Sequence, residues 1–136
     1  MPKMFIQASH GTYNAEARVR IAKALTDLGI TCEKLANTAK VRAGVWVMFN
    51  EAAPDAVFSG GTVATTPVIA LIVYALEGGL NDESRATFIV EATAILSMDS
   101  IGDSPHAIYV SIQETPEVDW GMYGAQVSLK RLRGLD

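Results

Sequence analysis

Apolar positions along this chain fall into two rhythms, and the pair of rhythms occurs twice. Lys3–Ala8 reads as a short mixed strand. Asn14 follows as a helix N-cap, since its side-chain oxygen can accept from the free N–H groups of a first turn. Val19, Ala22, Leu25 and Leu28 recur at helical spacing, and Gly29 fits the residue just past a helix end. Arg42–Asn50 then alternates, with Val45, Val47 and Phe49 on one face and Arg42, Trp46 and Met48 on the other. Further on, Val68–Ala75 is apolar throughout and predicts a strand buried on both faces. Asn81 or Asp82 caps a helix carrying Phe88, Ala92, Ile95 and Leu96. Ile108, Val110 and Ile112 alternate with Tyr109, Ser111 and Gln113 as a final strand.

The order strand, helix, strand therefore comes twice, and landmarks keep the spacing. Pro2 and Pro67 stand 65 residues apart, Glu51 and Glu114 63, and Gly61 and Gly124 63. Each Glu ends a strand and precedes a proline turn (Pro54, Pro116). Each turn leads to an aromatic and glycine cluster, Phe58–Gly61 and Trp120–Gly124. A strand–helix–strand crossover joins parallel strands. The expected fold is α+β: two β-α-β repeats forming a four-stranded mixed sheet, with two helices on one face. The whole chain is one domain, with repeat one at 2–63, repeat two at 67–125 and a C-terminal segment at 126–136. The other sheet face would carry Trp46, Met48 and Tyr109. These are too apolar for open water and predict an interface between copies of the chain. In the competing arrangement, Gln126 to Leu132 folds back over that face.

Composition narrows the function. The 136 residues are 49% apolar and 19% charged, enough to bury a core. A net charge of -4 argues against nucleic acid as the main partner. The longest apolar stretch, Val63 to Leu76, is broken by Thr65, Thr66 and Pro67 and is too short to span a bilayer. No charged-then-apolar leader is visible, and Cys32 is the single cysteine, so a reducing cytoplasm is the expected location. Cys32 has no evident base partner, and packing near a helix end is its expected role.

Pro2 is the candidate for chemistry. Trimming of the initiator Met would leave it as a free secondary amine. An α-amino group titrates near 7.7–8.0, and burial or a nearby cation lowers that further, into the range of a general base. Pro67 matches it in place, but a mid-chain proline has no basic nitrogen; it starts a strand where no N–H is needed. If Met1 stays attached, Pro2 is an amide and not a base.

Together these residues resemble the tautomerase superfamily. Pro2 on a strand, a β-α-β unit of about sixty residues, and a second strand ending in Glu before an aromatic-glycine hairpin carry the likeness. The second copy is the closer match to oxalocrotonate tautomerase, through Leu76–Glu83, Ile108–Glu114 and Asp119–Gly124. The resemblance implies a homotrimer with sites around Pro2 at subunit boundaries. It also implies proton transfer next to a carbonyl, on a small 2-oxo acid or enol, with no cofactor and no metal. Superfamily decarboxylases and hydratases are the alternative; they need a carboxylate near Pro2, which the sequence does not locate. A trimer that keeps the fold without the chemistry, or an unrelated monomeric ligand-binding module, are the other readings.

The chain departs from the family at its arginines. The usual loop arginine falls on Gly79, or on Thr12 or Tyr13, and the second-strand arginine on Trp46 and Tyr109. Candidate substitutes are Arg42, placed by strand parity on the Trp46 side, and His10 at the end of the first strand; each is otherwise a solvated surface group. Trp120 is the hairpin aromatic and Tyr123 a nearby hydroxyl, either walling a pocket or packing a trimer. Lys3 either lowers the Pro2 amine by repulsion or is a surface lysine. His106, beside Pro105, reads as a turn residue.

Overall fold

The computed structural model describes residues 1–98 and 107–135. The four-stranded sheet has the order β2 (Trp46–Ala52), β1 (Lys3–Ser9), β5 (Val68–Leu76), β6 (Ala107–Thr115). Between β2 and β5 lies a hairpin of β3 (Phe58–Ser59) and β4 (Thr62–Val63). A second hairpin, β7 (Gly121–Met122) and β8 (Ala125–Gln126), follows β6. The β1–β2 and β5–β6 pairs are parallel, as crossovers require, and β1–β5 is antiparallel. Two helices, α1 (Ala15–Glu33) and α3 (Asp82–Met98), pack on one face. Their residues Ala17, Ile21, Leu25, Phe88, Ala92 and Leu96 close the core over Met4, Ile6, Ile69, Leu71 and Val73.

The two repeats are alike in detail. Gly11 and Gly78 turn the chain after β1 and β5 with φ of 85° and 84°, a region open to glycine. Asn14 then caps α1 by accepting from Ala17 N–H, and Asn81 accepts from Ser84 N–H at the start of α3. Arg18 on α1 holds Glu51 at the end of β2; Arg85 on α3 holds Glu114 on β6. Tyr13 ties the units together, donating to the Leu96 carbonyl (2.7 Å) and packing edge-on to Phe49. Residue 106, and with it His106, lies outside the described residues.

Three expectations are corrected. Residues 42–45 are not strand: Ala39–Ala43 is a short helix, α2, capped by Thr38, whose hydroxyl accepts from Val41 N–H. The local cap outweighs the alternation read across Arg42. Strand β5 is buried on its helix-facing side alone; Val68, Ala70 and Ile72 are half-buried on the other and Tyr74 is exposed. The bare face of the sheet remains open in the single chain, with Trp46, Met48 and Tyr109 at 46%, 46% and 59% exposure. The C-terminal segment does not cover it. The last helix, α4 (Leu129–Leu132), docks at the end of α1 instead, where Ala36 N–H donates to the Leu132 carbonyl and Arg133 Nε to the Glu33 carbonyl.

The third correction concerns Gly29, which does not end α1. The helix continues another turn, to a C-cap at Lys34 in the left-handed region. Gly29 is there because Pro2 is there: a Cβ at 29 would stand 2.9 Å from Pro2 Cγ and 3.0 Å from Met4 Cε. The helix gives up about 1 kcal/mol of propensity relative to Ala to let the first residues of β1 lie directly beneath it. Gly29→Ala should therefore change the stability to urea by less than about 2 kcal/mol, as propensity gained offsets overpacking. It should displace Pro2, and lower any Pro2-dependent turnover by about tenfold or more. Unchanged turnover would show that this packing does not position the proline.

Candidate active site

Antiparallel pairing of β1 and β5 decides what meets at Pro2. Because β6 runs parallel to β5, its C-terminal end lies beside the N-terminal end of β1. The hairpin of repeat two is thereby delivered to Pro2, and Trp120 and Met122 are buried there. The hairpin of repeat one goes to the opposite end of the sheet, beside Pro67.

Pro2 is fully buried, its ring on the α1 side with Met4 and Ile6. Met1 precedes it and is also buried, with its amine 3.8 Å from Glu33 Oε2. Glu33, in the last turn of α1 and one turn after Gly29, is only 1% exposed. Neither carboxylate oxygen finds a hydrogen-bond donor among the described residues. A buried carboxylate without donors is costly. Burial pushes its pKa up, opposed by the terminal amine and Arg133. Burial also pushes the Met1 amine down, with Glu33 opposing the change and Lys3 adding to it.

Lys3 points to the other face of β1. Its ammonium donates to the Gly44 carbonyl and lies 4.5 Å above the Trp46 ring and 5.9 Å from that of Trp120. The contact with Trp46 follows from register, since Lys3 pairs with Trp46 across the parallel ladder. Lys3 is thus a cation between two indoles rather than a plain surface lysine. Burial lowers its pKa to about 8, against the pull of Glu33. A cavity of ≈ 420 Å³ opens beside it, lined by Phe5, Trp46, Tyr74, Asp119 and Trp120 among others.

Of the residues read from sequence, Trp46 and Trp120 share the cavity beside Lys3, and Trp46 N–H donates to the Pro2 carbonyl (3.2 Å), while the Pro2 ring lies on the α1 side of β1. Arg42 stands apart. It sits on α2, where strand parity does not apply, and pairs with Asp27 (2.8 Å) and Asn37 (3.1 Å) on the outside of α1. His10 lies at the far end of β1, bonded to Glu51 (2.7 Å), in a cavity of ≈ 230 Å³ that includes Pro67. Tyr109 is exposed on β6, paired with Ala70 and away from Trp46. Tyr123 is exposed and joins the lining of the Met1 cavity. Cys32 is buried in the last turn of α1, and burial pushes its thiol pKa up, away from nucleophilic chemistry. Sequence reading missed Glu33. The one available signal was an acidic residue four places after Gly29, on the helix face that carries the glycine.

Glu33 gives a prediction of sign. Its folded pKa is raised, so the folded chain binds the proton more tightly than the unfolded chain. The group's contribution is most favourable below the ordinary carboxylate value and is lost as pH rises through the folded one. Glu33→Gln should therefore gain stability relative to the parent between pH 4.5 and pH 8 in paired urea titrations. A variant that loses ground over that range would mark Glu33 as an ordinary stabilising ion pair.

Among the described residues, no group of three or more His, Cys, Asp or Glu side chains is placed to hold a metal ion, and no helix is long and apolar enough to cross a membrane. No family model and no curated protein matches the chain. Solved structures do. The chain is similar to Pt0534 inactivated by 2-oxo-3-pentynoate: 22% identity, TM-score 0.76, covering 95% of this chain and 97% of that one. It is similar to a fused 4-OT described as a symmetric trimer, at 20% identity and TM-score 0.75, over 91% and 94% of the two chains. It also matches N1, a member of the cis-3-chloroacrylic acid dehalogenase family, at 19% identity and TM-score 0.71, over 93% and 83%. With the two β-α-β units, their antiparallel junction and a proline just before the first strand, the chain has the fold of the fused 4-OT structures.

Proposed function

We propose that this protein is an enzyme of proton transfer, a tautomerase acting on a small 2-oxo acid or enol, with Pro2 as general base once Met1 has been removed. One observation carries the reading: the buried chain terminus lies 3.8 Å from Glu33, a buried carboxylate with no hydrogen-bond donor, and is followed by Lys3, a cation held against two indoles. A terminus with only a structural role has no need of either. The neutral Pro2 nitrogen would take a proton from the carbon next to the substrate carbonyl. The electron pair moves onto the carbonyl oxygen, and the same proton returns at another carbon or on oxygen. Lys3 offers the positive charge that a developing enolate requires. Trp46 and Trp120 keep water from that charge, so its field is less screened. Glu33 opposes the fall that burial causes in the pKa of the terminal amine.

Glu33 also favours a second reading. A superfamily hydratase or decarboxylase needs a carboxylate to activate water near the proline, and Glu33 is the residue fit for it. For assembly we propose a homotrimer. The open apolar face supports this, as do similar structures described as trimers. The expected location is cytoplasmic.

The test uses the untagged chain, with loss of Met1 verified by mass. Ketonisation of phenylenolpyruvate should proceed, and Pro2→Ala should slow it by about 10²- to 10⁴-fold. Sizing chromatography should give about three times 14.5 kDa. Equal background rates in both proteins would exclude the tautomerase reading for this substrate class. Hydration or decarboxylation that requires Glu33 would select the second reading.

A further inference from the structure

The residue whose removal would uncover the Pro2 nitrogen fills a pocket of its own. Met1 is 6% exposed. Together with Val41, Met122, Val127 and Leu132 it lines a cavity of ≈ 250 Å³ that reaches the surface. Gly44 is the informative neighbour. Its φ of -87° and ψ of -8° suit any residue, so the backbone does not require glycine there. A Cβ at position 44 would stand 1.9 Å from Met1 Sδ and 2.8 Å from Met1 Cε. The missing side chain keeps volume open, and in this chain a thioether fills it. Beside this apolar volume stand two cationic side chains, Lys40 and Arg131. A methionine side chain is unbranched and about four heavy atoms long, so its outline measures the space.

We propose that in the trimmed chain the volume vacated by Met1 is a substrate subsite. It takes the unbranched aliphatic or thioether chain of a monocarboxylic acid, whose carboxylate meets Lys40 at the rim. Gly44 sets its depth. The inference rests on the proline reading above, because trimming Met1 is what empties the pocket, and it narrows the substrate from any small 2-oxo acid to one with a straight apolar chain.

Calorimetric titration with acetate, butanoate and hexanoate tests binding apart from catalysis. Affinity should rise roughly fourfold per methylene, and 2,2-dimethylbutanoate should bind more weakly than butanoate. Gly44→Ala should weaken hexanoate about tenfold while leaving acetate unchanged. If Gly44→Ala melts early, Val41→Ala decides: a widened pocket moves the best ligand from hexanoate to octanoate. Affinity independent of chain length, an unmoved optimum in Val41→Ala, or a mass showing Met1 retained in the mature protein would each overturn the proposal. Chain-length-dependent binding without Pro2-dependent turnover would sink the proton-transfer reading and leave the subsite standing.

Discussion

The antiparallel pairing of β1 with β5 is the constraint on which the rest of this molecule depends. Five backbone positions, Lys3↔Tyr74 through Gln7↔Ala70, fix the two repeats head to tail. With a parallel junction both hairpins would leave at the end of the sheet opposite both prolines. The antiparallel one brings the Trp120 hairpin of repeat two to the start of repeat one. Pro67, at the other end, has the Ser9–Thr12 turn and His10 for company. Only one of the two ends can carry a free amine. Each end of the sheet thus has a proline and a cavity, and only the Pro2 end stands where a trimmed terminus could offer a basic nitrogen.

Around that end the physical chemistry runs against stability. Glu33 is buried without a hydrogen-bond donor, Lys3 is drawn to about 8 by desolvation, and the terminal amine is lowered by the same cause. Groups that each prefer water have been gathered where water is scarce, and their charges are coupled. Packing holds them. Gly29 and Gly44, both without conformational need for glycine, mark where backbone comes close enough for the cluster to exist. Arg133, bridging the Glu33 and Gly79 carbonyls, anchors the C-terminal segment against the same corner. Perturbed titrating groups concentrated in one place are the usual physical mark of a working site.

Much of this was legible in the sequence, because repeats and caps are local. Asn14 and the Asn81 cap, the alternation in β6, the Pro2–Pro67 spacing and the two aromatic hairpins all read correctly. The failures have definite causes. The Arg42 face was assigned by strand parity, but Thr38 starts a helix there, and a five-residue helix leaves little periodic signal. Gly29 looked like a helix end because close approach to Pro2 and a C′ turn both ask for glycine. Glu33 gave almost no signal, since nothing local distinguishes a buried helical glutamate from an exposed one. Lys3 read as surface because its indole partners lie 43 and 117 residues away in the chain. The positions where the familiar arginines are absent are informative in the same way: Trp46 stands at one of them, and the adjacent strand places Lys3 over its ring.

The proposed proton transfer requires that removal of Met1 leave Pro2 as a buried basic nitrogen. An NMR titration of the trimmed protein, labelled with ¹⁵N-proline, observes that atom directly. The account predicts that the Pro2 nitrogen titrates, with a pKa below the about 7.7–8.0 of an exposed α-amino group, because burial outweighs the opposing charge of Glu33. A Pro2 nitrogen that does not titrate, or that titrates like an exposed terminus, would contradict it.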